Sequence, residues 1–374
     1  MEVSLLTILR EWGRIGCIGF GGPPTHIALL RDLCVHKRRW LTEQDFEDAI
    51  AACNLLPGPA STQLAIYCAW RIRGRIGAIV GGAAFIVPGL ALIIGLAAVF
   101  LAASPPRSVL GAGAGAGAAV AAVAVRAGAS LVPGSWARVA AGARLRWIVY
   151  AVAGATAGAL AGTWVVLVLL ACGAAELLLR RGRAIAFVPL VAAVPAGGLL
   201  ALVWVAFKVG ALSYGGGFVI IPLMQADAVG HYHWMTAAQF LNAVALGQVT
   251  PGPVVQTVAV VGYAARGLGG ALLAALVAFT PSFAFVLVGG DRFDRFRRDP
   301  RARAFLGGAG PAAIGAIVGV AIPLARALHE GWQFGVLAGA ALALLVLRRS
   351  IVVTLLLAGA VGVIAALLGA PLRH

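Results

Sequence analysis

Two short stretches, Pro57-Gly58-Pro59 and Pro251-Gly252-Pro253, interrupt apolar segments and share their neighbours. An amide side chain stands three residues ahead of each, Asn54 and Gln248. Ser61, Thr62 and Gln63 follow the first, and Gln256 and Thr257 follow the second. Proline withholds a backbone donor and clashes with the preceding turn, and glycine loosens what is left. A helix restarting at Pro59 or Ala60, and again at Val254 or Val255, aims free N–H groups and its positive dipole end at whatever lies ahead. That is an anion-binding arrangement, to which the hydroxyls and amides add donors. A single kink of this kind would only shape packing; two matched kinks argue for a site.

Other residues extend the candidate set. The turns "GFGGPPTH", with Gly21 and Gly22, and "LSYGGGF", with Gly215, Gly216 and Gly217, let backbone amides approach a ligand closely. Arg14 aligns with Lys208 just upstream of these turns, and a cation inside an apolar segment marks a pathway or a partner, or snorkels to the interface. His26 faces no histidine in the second copy (the aligned residue is Ile220), which favours a structural hydrogen bond. Among Glu43, Asp45, Glu47 and Asp48, the first turn of a helix accounts for most of the acids. Asp48 lies deepest and is the proton-coupling candidate. No HExxH, P-loop, nucleophile elbow or metal-ligand cluster is present, so neither catalytic residues, a metal nor a cofactor is expected.

The elements that must position these residues are membrane helices. The chain has 374 residues, 61% hydrophobic and 11% charged, with mean hydropathy +0.97, too apolar for a soluble domain. Charge-free runs at 76–106, 147–175, 184–207, 267–290, 304–325 and 350–372 match the roughly 30 Å hydrocarbon core, and 108–125 and 331–347 are shorter candidates. The net charge of +16 sits in short connections between them, which points to membrane orientation and away from nucleic acid. The five cysteines form no CxxC pair and are expected to be small buried residues. The run Gly111–Ala119 is expected to be a small-residue packing face. No cleavable leader is expected at the N-terminus, where Arg10, Glu11 and Arg14 interrupt the first apolar stretch.

The sequence also repeats. At a shift of 194, Trp40 falls on Trp234, Phe46 on Phe240, Asn54 on Gln248 and Pro57 on Pro251; after one lost residue, a shift of 193 pairs Arg73-Gly74 with Arg266-Gly267 and Pro88 with Pro281. This predicts a first repeat over 1–183, a connecting span over 184–198 and a second repeat over 199–374. Corresponding loops carry opposite charge bias. Residues 31–39 are basic where 225–233 have no Lys or Arg, and 104–107 are short where 291–303 hold six arginines. The expected fold is therefore an all-α polytopic membrane protein of two inverted-topology repeats with broken or re-entrant helices. Residues 3–36 and 42–71 either enter and return or cross as broken helices.

The "FGGP" element, the Trp-Thr before an acidic helix, "LPGP" followed by hydroxyls and Gln, the "RG" turn and the Pro88/Pro281 pair together resemble the chromate ion transporter family, in its long two-domain bacterial form. The resemblance is clearest over 4–88 and 199–281. It implies an inner-membrane, multi-pass exporter of chromate, with the proton-motive force as the drive. Two positions depart from the pattern: Asn54 stands where glutamine is usual, and Gln63 meets Thr257 when no gap is placed. On this reading Arg14 and Lys208 attract a dianion, while Gly21–Gly22, Gly215–Gly217 and the helix starts after Pro59 and Pro253 bind its oxygens. Sulfate or another oxyanion is the alternative cargo. A membrane-embedded enzyme acting on an anionic substrate, and a scaffold subunit, are the alternatives of other classes. The bilayer is the expected partner, and nothing marks an oligomeric interface, a homodimer being left open.

Overall fold

A computed structural model describes residues 3–53, 58–160, 164–181, 197–213, 220–289 and 299–372. Its described elements are helices throughout, as lipid demands of a chain whose backbone groups must be satisfied locally. Four helical stretches are long and apolar enough to cross a membrane: Ala60–Phe100, Arg107–Trp136, Val254–Gly289 and Pro300–Arg326. The chain divides into two compact units that cut across the repeats. One comprises Met1–Ala97, Ala206–Gly217 and Leu246–Asp299, the other Ala98–Val205, Phe218–Ala245 and Pro300–His374.

In the first unit, α1 (Leu5–Ile18) is capped by Ser4, whose Oγ accepts from the Thr7 N–H at 3.2 Å. Its buried stripe, Ile8, Trp12, Ile15 and Gly16, faces inward, and Trp12 Nε1 donates to Ala65 O at 2.8 Å. A glycine turn leads to α2 (Pro23–Arg31), which runs on as a π-helical turn, Asp32–Lys37. The end of that turn returns to α1: Arg38 pairs with Glu11 at 2.5 Å and Trp40 stacks on Trp12. Helix α3 (Glu43–Cys53) starts beside the same rim, with Arg31 bound to both Glu43 and Glu47.

Helix α4 (Ala60–Phe100) bends sharply at Arg73 (φ −141°, ψ 25°) and Gly74 (φ 61°, ψ −154°). In a straight helix Ile66 and Gly82 would be about 24 Å apart. Here a Cβ on Gly82 would lie 2.8 Å from the Ile66 side chain, so 60–72 folds back along 75–100 as a hairpin. Asp45, at the start of α3, meets Arg71, at the end of the first arm, at 3.3 Å. The two ends of 42–71 therefore lie together. Helices α5 (Arg107–Ala118), α6 (Val120–Trp136), α7 (Arg144–Leu160) and α8 (Val165–Arg181) follow in the second unit. Helix α9 (Gly198–Leu212) begins the second repeat.

The second repeat reproduces the first down to its irregularities. Helix α10 (Ile220–Gln225) runs into a π turn over Ala226–His231, 194 residues after Asp32–Lys37. Arg39 and His233 share φ 51°, and the Trp40 and Trp234 N–H groups donate to Cys34 O and Ala228 O, each at 2.8 Å. Helix α11 (Ala237–Val249) is followed by the 3-10 turn Val254–Gln256 and α12 (Thr257–Gly289). Helix α12 bends at Arg266 (φ −151°, ψ 26°) and Gly267 (φ 62°, ψ −152°), matching Arg73-Gly74. A glycine-only backbone conformation at the same place in both copies is a conformational signature of duplication.

In the second unit, the stretch 147–175, expected as one span, is two antiparallel helices. Glu176, near the end of α8, binds Arg146, at the start of α7, at 3.0 Å; one helix would separate them by about 45 Å. Both pack on α13 (Pro300–Gly319), which α14 (Ala321–Arg326) continues. Helix α15 (Gly331–Ala341) and α16 (Ile351–Leu367) complete the unit. The Gly-Ala run behaves as a packing face: a Cβ on Gly111 or Gly115 would collide with the α16 backbone at Gly362 or Ala358.

Candidate functional site

Both breaks lie in the first unit. At the first, Gly58 takes φ 123° and Pro59 O accepts from the Thr62 and Gln63 N–H groups, each at 3.0 Å, starting α4. Ser61, Thr62 and Gln63 are buried. A Cβ on Gly58 would stand 2.5 Å from Gln63 Nε2, so the glycine leaves room for that amide. At the second break Gly252 takes φ 94°, and the Gln256 N–H donates to Pro253 O at 2.9 Å. A Cβ on Gly252 would lie 3.2 Å from Gln256 Oε1. The residue missing from the second copy has been taken from this first turn, which tightens to a 3-10 helix. Gln63 and Gln256 are therefore counterparts, whereas the ungapped register had set Gln63 against Thr257.

A hydrogen-bonded path ties the pieces together. The Gly252 N–H donates to Gly19 O at 3.1 Å, and His26 Nε2 meets the same carbonyl at 2.9 Å. A carbonyl can only accept, so the proton sits on Nε2, and in the neutral ring Nδ1 accepts from Ser61 Oγ at 3.3 Å. Fully buried His26 thus joins the glycine turn, the first break and the second break, with Phe85 edge-on at 5.0 Å. The second arm of α4 closes the other side, where Gly89 lies against Pro251 O and Gln256. Gln256 Nε2 donates to Thr250 Oγ1 at 3.0 Å and Pro251 O at 2.8 Å, and Thr257 Oγ1 donates to Val254 O at 2.7 Å. Close approaches repeat here too: Gly16 packs on the Phe85 carbonyl and Gly210, its counterpart, on that of Ala278.

The chemistry left over is that of buried polar atoms in an apolar unit. Thr62 Oγ1, Ser213 Oγ, Gln248 Nε2, Gln256 Oε1 and Ser282 Oγ are buried without a hydrogen-bond partner among the described residues. A buried polar atom left unpaired costs about 1–3 kcal/mol, so five in one unit call for something to bind them. Three are hydroxyls and one an amide nitrogen, all able to donate. The buried polar residues described in this unit comprise His26, hydroxyls, amides and Lys208, with no carboxylate among them. Neutral donors plus one cation suit an anion.

The candidate residues divide as follows. Gly21 and Gly22, at φ 97° and 76°, form the turn, and a Cβ on Gly22 would lie 3.8 Å from Val254. Ser61, Thr62, Gln63, Val254, Val255, Gln256 and Thr257 are gathered and buried, as is Gln248. Lys208 is buried on α9, two residues before Gly210. Asn54 and Gly215–Gly217 lie outside the described residues. Arg14 departs from expectation. It is two residues from both Trp12 and Gly16, about 200° around the helix from each, and so faces away from the interior. Asp48 is half-buried on α3. Sequence reasoning missed Ser213, Ser282 and the bridging role of His26. A signal existed: the two serines stand where the first copy has Gly19 and Gly89, a hydroxyl gained inside an apolar run.

The chromate transporter family matches over residues 6–177 and 200–363. A chromate transport protein of Cupriavidus metallidurans is 31% identical over 99% of this chain and 94% of its own length. One of Pseudomonas aeruginosa is 30% identical over 88% of this chain and 83% of its own. An uncharacterized transporter of Methanocaldococcus jannaschii is 25% identical, covering 79% and 78%. No solved structure matches.

Proposed function

The chain belongs to the chromate transporter family, and from that premise we propose that it exports chromate, a tetrahedral oxyanion, from the cytoplasm through the bacterial inner membrane. One observation carries the reading: the two glycine–glutamine breaks are linked through Gly19 and His26, in a unit whose buried polar atoms include unpartnered donors and no described carboxylate. Donors fixed in place substitute for the hydration an oxyanion sheds. The half-helix starting at Ala60 and the turn starting at Val254 add their N-terminal fields, and Lys208 adds a charge.

The opposite charge bias of corresponding loops supports an inverted arrangement of the two repeats, the usual basis of alternating access about a fixed mid-membrane site. A membrane potential negative inside drives a dianion outward by about 4.6 kcal/mol per 100 mV, at about 2.3 kcal/mol per charge. Export therefore needs no proton, and Asp48, half-buried rather than enclosed, is the candidate only if coupling is found.

The test is uptake of radiolabelled chromate into inverted vesicles with voltage and pH gradients imposed separately. Accumulation should follow voltage, and unlabelled sulfate should compete if shape and charge alone select the cargo. Uptake no greater than in vesicles lacking the protein would refute the proposal.

A further inference from the structure

Arg14 is left over by the paired breaks, and its surroundings have chemistry of their own. Helices α1 and α2 and the π turn enclose a pocket of about 320 Å³, within the size range of small-ligand sites. Five of its lining residues are charged: Glu11, Arg14, Asp32, Lys37 and Arg38. Arg38 is paired with Glu11 at 2.5 Å and Lys37 with Asp32 at 2.6 Å, while Arg14 has no acidic partner among the described residues. Three cations meet two carboxylates, and the surplus charge is that of Arg14.

The rest of the pocket is aliphatic, with Ile15, Ile18 and Leu29 toward the glycine turn. The charged side chains of the π turn lie toward the rim, so polarity falls off with depth. The exposed side of α1 carries Leu6 and Ile18, 72% and 45% exposed, as a lipid-facing surface does. Arg14 lies about 13 Å along α1 from the helix start. A guanidinium with no described carboxylate against it is open to an anion.

We propose that this pocket binds the phosphate of an anionic phospholipid, with Arg14 holding the phosphodiester and the Ile18–Leu29 end receiving the glycerol and first acyl carbons. The guanidinium fork matches two phosphate oxygens. Lys37 and Arg38 are neutralised by their own acids, which leaves Arg14 to meet the phosphate. A polar-to-apolar gradient fits an amphiphile better than a free anion, whose surface is polar all round.

The test is lipid retention. Full-length protein is reconstituted in vesicles of equal phosphatidylglycerol and phosphatidylcholine and re-extracted in detergent, and the co-purified lipid is quantified by mass spectrometry. Wild type should retain phosphatidylglycerol several-fold over its input ratio, and Arg14→Gln should fall to that ratio while Arg14→Lys keeps most of the enrichment. Leu29→Trp, which fills the apolar end and leaves every charge, should also lose it, and it decides the matter alone if Arg14→Gln does not accumulate. Enrichment unchanged in Arg14→Gln or Leu29→Trp overturns the proposal. The Leu29→Trp arm separates the lipid from a free anion, because inorganic phosphate needs no apolar end and would still bind there.

Discussion

Gly89→Ala and Gly95→Ala place the same methyl group six residues apart on one arm of α4 and should move stability in opposite directions. At Gly95 a Cβ meets nothing within 4 Å. Alanine there gains helix propensity, so the variant should be more stable by up to about 1 kcal/mol. At Gly89 the Cβ would collide with the Pro251 carbonyl and come within 2.8 Å of Gln256 Oε1. A carbonyl belonging to a proline-bounded turn cannot rotate away, so helix and break must separate. Overpacking of this kind costs roughly 1–3 kcal/mol. Allowing for the same propensity gain, Gly89→Ala should be destabilised by up to about 2 kcal/mol, and because that gain cancels between the variants the gap should be the overpacking cost, about 1–3 kcal/mol. Thermal unfolding of both purified variants in one detergent reads the difference, and chromate flux in vesicles reads its effect on transport. Equal melting temperatures, with flux intact in Gly89→Ala, would refute the claim that this arm closes on the second break.

Four further outcomes follow. Gly74→Ala and Gly267→Ala, open to side chains but confined to a glycine-only backbone region, should each lose about 1–3 kcal/mol in unfolding assays, by matching amounts. Gln256→Leu removes two buried hydrogen bonds and strands the Pro251 carbonyl, while Thr250 Oγ1 keeps its bond to Leu246 O, and should cost about 1–3 kcal/mol in thermal unfolding while lowering chromate flux more than melting temperature predicts. Glu176→Ala strips Arg146, Arg180 and Tyr150 of a shared partner; because the arginines are part-exposed, the loss should be about 2 kcal/mol by thermal unfolding, below the 3–5 kcal/mol of a fully buried pair. At the rim, the Thr42 hydroxyl, with Arg71, holds the Asp45 carboxyl below its ordinary range. A depressed folded value means the contribution is present above the unfolded pKa and lost as pH falls through the folded one, so Asp45→Asn should flatten the acid side of a stability–pH curve.

Sequence patterns carried the class, the duplication and the two breaks, because each depends on residue type alone. Pro-Gly-Pro needs glycine and proline wherever it occurs, and Arg73-Gly74 and Arg266-Gly267 repeat because only glycine tolerates that backbone. Other features depend on geometry that composition does not encode. The apolar run 147–175 reads as one span, and the Glu176–Arg146 contact that folds it in two is long-range. The Gln63–Gln256 correspondence needed the gap placed inside the first turn, a choice that turn geometry makes visible. Arg14 was different: a helical projection from Ile8, Trp12 and Ile15 sets it on the outer face, but its alignment with Lys208 had drawn attention to depth rather than direction.

The most direct measurement is equilibrium dialysis of radiolabelled chromate against the purified protein, in wild type and in Thr62→Val and Gln248→Leu, which remove donors left without a partner among the described residues. The account predicts saturable binding, weakened by each substitution through loss of a charge-assisted hydrogen bond of about 1.5–3 kcal/mol, roughly tenfold or more in Kd. Binding that is saturable in wild type and unchanged in both variants would place the oxyanion somewhere other than between the two breaks.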